Sequence, residues 1–152
     1  MGDLEDLSLQ LNSAVAYNKF DQKLHTEYDK ETSTRTGNEL WVITKSFKYY
    51  IGDPKDNKWA VVPEGFVSDG ASSPRIVWSW IPRWGLHGQA CVLHDYLCRV
   101  RQIYINGIVT YITRKEADRI FLEALKVSGV NSVKRRAMYL AVRTYAKVKG
   151  LT

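Results

Sequence analysis

Cysteine, proline and long apolar runs are scarce in this sequence, and each scarcity excludes a class of protein. The 152 residues include only two cysteines, Cys91 and Cys98, and four prolines. Seven positions along one helix separate the two thiols by about 10 Å, which is farther than a disulfide can bridge. A disulfide scaffold is therefore excluded. No apolar run approaches the roughly 20 residues that span a bilayer, so we expect no transmembrane segment.

A secretion signal is also missing from the first residues. The chain opens Met1-Gly2-Asp3-Leu4-Glu5-Asp6, which is acidic where a signal peptide is basic. We therefore expect the protein to be made and folded in a cytoplasm. A hydrophobic content of 45% in one domain-sized chain predicts a folded globule with a real core.

Acidic residues are unevenly distributed along the chain. Residues 1–31 carry seven acids and three bases, whereas residues 131–152 carry six bases and no acid. A basic C-terminal helix could contact nucleic acid or an anionic membrane, and the alternative is a solvated helix face. The bases that could make such contacts are Lys134, Arg135, Arg136, Arg143 and Lys147.

The remaining pattern predicts an α+β fold in two parts. Residues 1–38 lack a clear periodicity and are interpreted as an acidic, weakly packed arm, and residues 39–152 as one domain. Within the domain the pattern predicts, in order, a β-hairpin at 39–63, a short helix from Pro74 to Pro82, a helix at 86–98, a second hairpin at 101–112 around Asn106-Gly107, a helix from the Thr113–Glu116 capping box to Val127, and a helix capped by Ser132 that runs to Gly150.

Two helices of this scheme carry the candidate site. His94 lies about 80° to the side of the apolar stripe Leu86, Ala90, Leu93 and Leu97, and Asp118 borders the apolar face of the next helix. Since the second hairpin joins these helices closely, we expect them to pack antiparallel and to bring the two side chains together. A carboxylate that holds an imidazole in one tautomer prepares it to act as a general base. The alternative is a half-buried pair that only fixes helix packing.

Three blocks of the sequence resemble a family of phage and prophage proteins of unknown function. They are Val62-Pro63-Glu64-Gly65-Phe66-Val67-Ser68-Asp69-Gly70-Ala71-Ser72-Ser73-Pro74-Arg75, Leu93-His94-Asp95-Tyr96-Leu97 and Arg114-Lys115-Glu116-Ala117-Asp118-Arg119-Ile120-Phe121. The resemblance covers residues 41 to about 146 and implies a bacteriophage or prophage origin.

A second, more local resemblance concerns chemistry. The run Ala90-Cys91-Val92-Leu93-His94-Asp95-Tyr96-Leu97, followed by Ala117-Asp118-Arg119-Ile120-Phe121-Leu122, is similar to secreted and parvoviral phospholipases A2. This resemblance implies that His94 deprotonates a water, that Asp118 orients His94, and that Asp95 binds Ca²⁺ with help from Asp69 and the loop to Pro74. The sequence departs from that pattern in two places. The loop has one glycine, and position 98 is Cys instead of Tyr.

A zinc site is a further alternative on the same helix. His87, Cys91, His94 and Cys98 lie on one line of it, but four ligands spread over three turns cannot all reach one ion.

Two functions follow as hypotheses. The protein is either a phage-encoded hydrolase that uses His94 and Asp118, or a non-catalytic virion component such as a tail, baseplate or adaptor subunit. In both cases we expect residence in the virion after assembly. In the second case residues 1–38 would contact other virion proteins.

Overall fold

The computed structural model describes residues 20–69 and 85–152. Three sequence-based expectations fall outside these ranges: the first half of the arm, the loop at 70–74 and the helix from Pro74 to Pro82.

The described residues form an α+β fold, as the sequence pattern predicts. In chain order the elements are β1 Thr26–Tyr28, α1 Lys30–Thr36, β2 Trp41–Ile43, β3 Phe47–Ile51, β4 Lys58–Val62, β5 Val67–Ser68, α2 Gly88–Val100, β6 Gln102–Ile105, β7 Ile108–Tyr111, α3 Arg114–Val127 and α4 Ser132–Val148. The strands make two antiparallel sheets, ordered β1-β2-β5 and β3-β4-β6-β7.

The first hairpin is confirmed between β3 and β4, where Tyr49 pairs with Ala60. The hairpin is shorter than the predicted range of 39–63, because β2 pairs with β1 and β5 in the other sheet. Ile43 and Phe47 are buried while Lys45 between them is exposed. A straight strand would point all three to one face, so the chain bends at 44–46 and releases Lys45 to solvent.

The second hairpin is confirmed at its Asn-Gly turn. Asn106 and Gly107 have φ values of 51° and 78°, the left-handed pair that a type I′ turn requires. Since β6 pairs with β4, this hairpin extends the four-stranded sheet and carries the chain from α2 to α3. The connection brings α2 and α3 side by side, and α4 packs against α3.

Three helix termini differ from the sequence-based prediction. Leu86 is 70% exposed and precedes the first residue of α2, so the helical periodicity that placed it in the apolar stripe does not reach it. Asn131, not Ser132, caps α4, since its backbone is extended and its side chain accepts from the Lys134 amide at 2.9 Å. That helix ends at Val148 instead of Gly150. The Thr113–Glu116 capping box of α3 is present as expected.

The described half of the predicted arm, residues 20–38, is joined to the rest of the chain. β1 pairs with β2, and the Phe20 ring packs edge-on against Phe47 at 5.6 Å between centroids. The division into arm and domain stays a prediction. Within the described residues, no helix combines the length and apolar character needed to cross a membrane.

Candidate functional site

His94 and Asp118 meet at the contact between α2 and α3. The distance from His94 Nε2 to Asp118 Oδ1 is 2.7 Å, as the antiparallel packing of the two helices predicts. His94 keeps 9% of its surface exposed, whereas Asp118 is fully buried. The apolar residues around them on both helices are also inside, so this polar pair lies at the edge of the core.

Two arginines that sequence reasoning did not assign to the site complete it. Arg114 Nε donates to Asp118 Oδ1 at 3.0 Å, and Arg143 Nη1 donates to Asp118 Oδ2 at 2.7 Å. The spacing of Arg114, four residues before Asp118 on α3, was a usable signal. Nothing local marked Arg143, because its partner lies on another helix. Its guanidinium faces inward, so it does not belong with the solvent-facing bases of α4. We call His94, Arg114, Asp118 and Arg143 the Asp118 cluster.

The protonation of this cluster follows from its hydrogen bonds. Burial alone would raise the pKa of the Asp118 carboxyl, but hydrogen bonds from His94, Arg143 and Arg114 hold that pKa below its ordinary value. Desolvation lowers the pKa of His94, and the Arg114 charge lowers it further against the opposing effect of Asp118. At neutral pH the cluster therefore holds an ionised Asp118 and a neutral imidazole.

This protonation state determines the tautomer of His94. An ionised Asp118 can only accept, so the nitrogen 2.7 Å away must carry the proton and donate it. The imidazole lone pair is then on Nδ1, which makes no hydrogen bond to any described residue. The ring is also held by stacking on Phe121, with 4.4 Å between ring centroids. A neutral imidazole with one nitrogen oriented by a carboxylate and the other bearing a lone pair is what a general base requires.

Cys98 lies beside the pair, with its Sγ 3.3 Å from His94 Nε2. Since Nε2 carries a proton and donates it to Asp118, it cannot accept the thiol proton. Burial raises the pKa of Cys98 to about 12, so the thiol stays protonated at neutral pH. These two facts argue against a cysteine nucleophile activated by His94.

His94, Cys98 and Asp118 also form the one group of three possible metal ligands among the described residues. A metal on this group would have to replace the proton on His94 Nε2 and approach the positive charges of Arg114 and Arg143. Both requirements disfavour metal binding here. His87 and Cys91, the other members of the predicted zinc line, are not part of the group. Both cysteines are free thiols, as the sequence spacing predicts.

The predicted cation ligands Asp69 and Asp95 are not members of the Asp118 cluster. Both raise the pKa of the buried Cys91 thiol, after the larger effect of desolvation. Asp95 Oδ2 makes an ion pair with Arg99 Nη2 at 3.1 Å. Calcium takes six to eight oxygen ligands. The described residues offer these two carboxylates and a competing guanidinium, so they fall short of that set, and the cation site stays a prediction.

Comparison with known proteins gives a family but no activity. The family described as "Protein of unknown function (DUF1353)" matches residues 41–142. The chain is similar to a Sinorhizobium fredii protein named "Uncharacterized protein y4jT", with 35% identity over 108 residues, which is 70% of this chain and 29% of the relative. The chain thus matches less than a third of that relative's length. No solved structure matches. The matched region contains every member of the Asp118 cluster except Arg143. Because the match extends from β2 through most of α4, the chain belongs to the DUF1353 family.

Proposed function

We propose that this protein is a hydrolase of phage or prophage origin, associated with the virion, in which His94 is the general base and Asp118 orients it. The observation that carries the catalytic part is the 2.7 Å contact between His94 Nε2 and Asp118 Oδ1. The phage part is supported by the resemblance of the three sequence blocks described above.

The base step needs only the groups of the Asp118 cluster. His94 Nδ1 takes a proton from water, and the hydroxide oxygen bonds to the acyl carbon of an ester. When the tetrahedral adduct collapses, the ester C–O bond breaks and the imidazolium returns its proton to the departing alkoxide. Asp118 keeps the ring in place and stabilises the imidazolium.

Two features of the site support the role of His94 as a general base: its side chain can be reached from solvent, and it is unprotonated at neutral pH. The His94 side chain is 11% exposed, so a small group can reach its edge, while its partner Asp118 is closed to water. The lowered pKa of His94 keeps the base deprotonated at neutral pH. We therefore expect activity to rise with pH through an acid limb whose midpoint is below 6.5, and to stay level above it.

The test is hydrolysis of 4-nitrophenyl esters of increasing acyl length and of phospholipid vesicles, each with and without Ca²⁺. We expect His94→Gln to lower the turnover rate by roughly 10² to 10⁴-fold, the usual contribution of a positioned general base. His25→Gln is the matched control, since His25 is exposed and distant in sequence from the cluster. No turnover by the wild-type protein on any of these substrates, or equal rates for both variants, would contradict the proposal.

Calcium dependence tests the cation site predicted at Asp69 and Asp95. If they bind Ca²⁺, the ion should raise the melting temperature, because a ligand that binds only the folded state stabilises it. Asp95→Ala should abolish the shift and His94→Gln should preserve it. Activity with no shift at millimolar Ca²⁺ would mean that the base works without this ion.

A non-catalytic virion component is the second candidate, and one observation favours it. Asp118 accepts hydrogen bonds from α2, α3 and α4 at once, which joins three helices without any substrate. Under this alternative, purified particles would contain the protein, the ester and lipid assays would stay blank, and a chain shortened to residues 39–152 would fold but fail to enter particles.

A further inference from the structure

The solvent side of α4 exposes a stripe of large apolar side chains. Val133, Leu140 and Val148 are 76%, 62% and 79% exposed. At 100° per residue they fall within a sector of about 80°, and the exposed Ala137 lies inside it. The buried residues of this helix, Met138, Val142 and Ala146, point the opposite way. We call Val133, Ala137, Leu140 and Val148 the outer stripe. α4 thus packs one apolar face on the core and carries a second, mainly apolar face toward solvent, interrupted by the exposed Thr144.

Positive charges border the outer stripe on both sides. Lys134 lies on one side of it, and Arg136 and Lys147 on the other, by the same helical geometry. α4 contains no acidic residue. Arg143 is the exception among its bases because it is directed at Asp118. The outer stripe therefore has exposed cations beside it and no carboxylate of its own helix.

A groove between α3 and α4 continues this basic border. Its volume is about 380 Å³, and it is lined by Arg119, Leu122, Glu123, Lys126, Arg135 and Arg136. The one acid, Glu123, accepts through Oε1 from the Tyr49 hydroxyl at 2.9 Å and from the Gly52 amide at 3.0 Å, so that oxygen is directed into the fold. Four cations and one engaged carboxylate make the groove suited to an anionic group.

We propose that this side of the protein binds an anionic phospholipid bilayer, with the outer stripe in the interface and lipid phosphates at the groove. A basic helix with an exposed apolar face gains from both parts of such a surface: apolar burial at the acyl boundary and attraction to anionic headgroups. A nucleic-acid backbone would use the cations but leave the outer stripe in water. A second copy of the chain would cover the outer stripe but bring two basic helices together.

The proposal concerns a binding surface and is independent of His94. It is tested by flotation of the intact protein with vesicles of phosphatidylcholine alone and of phosphatidylcholine with phosphatidylglycerol, at low and at physiological salt. We expect binding to the anionic vesicles only. The doubly charge-reversed Arg136→Glu/Lys147→Glu variant and the Leu140→Ser variant should each raise the lipid concentration needed for half binding by roughly tenfold or more.

Matched control variants distinguish binding by this surface from nonspecific effects of charge and of exposed apolar side chains. Lys30→Glu/Lys45→Glu reverses two exposed charges that belong neither to α4 nor to the groove lining, and Ile108→Ser removes an apolar side chain that is 69% exposed at the second hairpin. Both should bind like the wild type, as should His94→Gln. Equal binding to neutral vesicles, preference for duplex DNA over anionic vesicles, concentration-dependent dimers lost in Leu140→Ser, or insensitivity to Leu140→Ser would each overturn the proposal.

Discussion

Two bases on one border of α4 carry the same charge in different surroundings. The Arg143 side chain is 16% exposed and donates to a fully buried carboxylate. Lys147, four residues later, is exposed to solvent. A buried cation with a buried partner cannot be removed without leaving an uncompensated charge, whereas a solvated cation can. Burial, more than residue type, therefore decides what a base contributes to the stability of this protein.

The largest effect is expected when each of these two charges is removed in turn. We expect Arg143→Met to lower the free energy of unfolding by about 3 to 5 kcal/mol, because Asp118 Oδ2 loses its donor inside the protein. Lys147→Met should change it by less than about 0.5 kcal/mol. Urea denaturation of both variants measures this. Similar losses of unfolding free energy in the two variants would show that the Asp118 cluster contributes no more to stability than a solvated surface charge does.

The second prediction concerns acid. The pKa of His94 is lower in the folded protein than its ordinary 6.5, so the unfolded chain binds a proton first as pH falls. Stability should therefore be full above pH 6.5 and decline below it, until the folded-state pKa is reached. The lowered pKa of Asp118 adds a separate decline below about 3.8.

Unfolding free energies measured from pH 7.5 to 4.5 would test this. We expect His94→Gln to flatten the profile in that range and His25→Gln to leave it unchanged. An unchanged slope in His94→Gln would mean that His94 is not desolvated in the folded state.

A smaller effect is expected at Cys98. Because its thiol is protonated and His94 Nε2 cannot accept from it, Cys98→Ala should retain esterase activity within about threefold. The wild-type thiol should react slowly with a disulfide reagent at pH 8, because its pKa is about 12. Fast labelling, or loss of activity in Cys98→Ala, would place the sulfur in the chemistry.

The smallest effect on stability should come from the outer stripe. Leu140→Ser replaces a side chain that is 62% exposed, so we expect a change of less than about 0.5 kcal/mol in the free energy of unfolding. Met138→Ser, on the inner face of the same helix, should cost several times more, because Met138 is 4% exposed. Thermal melts of the two variants compare the faces directly. A large loss in Leu140→Ser would mean that the outer stripe supports the fold itself.

Local signals in the sequence were enough for several parts of this protein. The Asn106-Gly107 turn, the Thr113–Glu116 capping box and the free cysteines each depend on neighbours within a few residues, and each was predicted correctly. The contact of His94 with Asp118 was also predictable, since two helical periodicities and one short connection determine which edges meet.

Tertiary structure alone decided the rest. Whether residues 41–51 continue as one strand depended on which partners β2 finds, and those lie on β1 and β5. The sequence pattern placed Arg143 with the surface bases of α4, because nothing near it in sequence indicates a buried carboxylate on α3. The burial of its charge and its hydrogen bond to Asp118 arise from packing between helices, and so does the Asp118 contact that determines the tautomer of His94. In these surroundings of low polarity a single hydrogen bond is stronger than it would be in water.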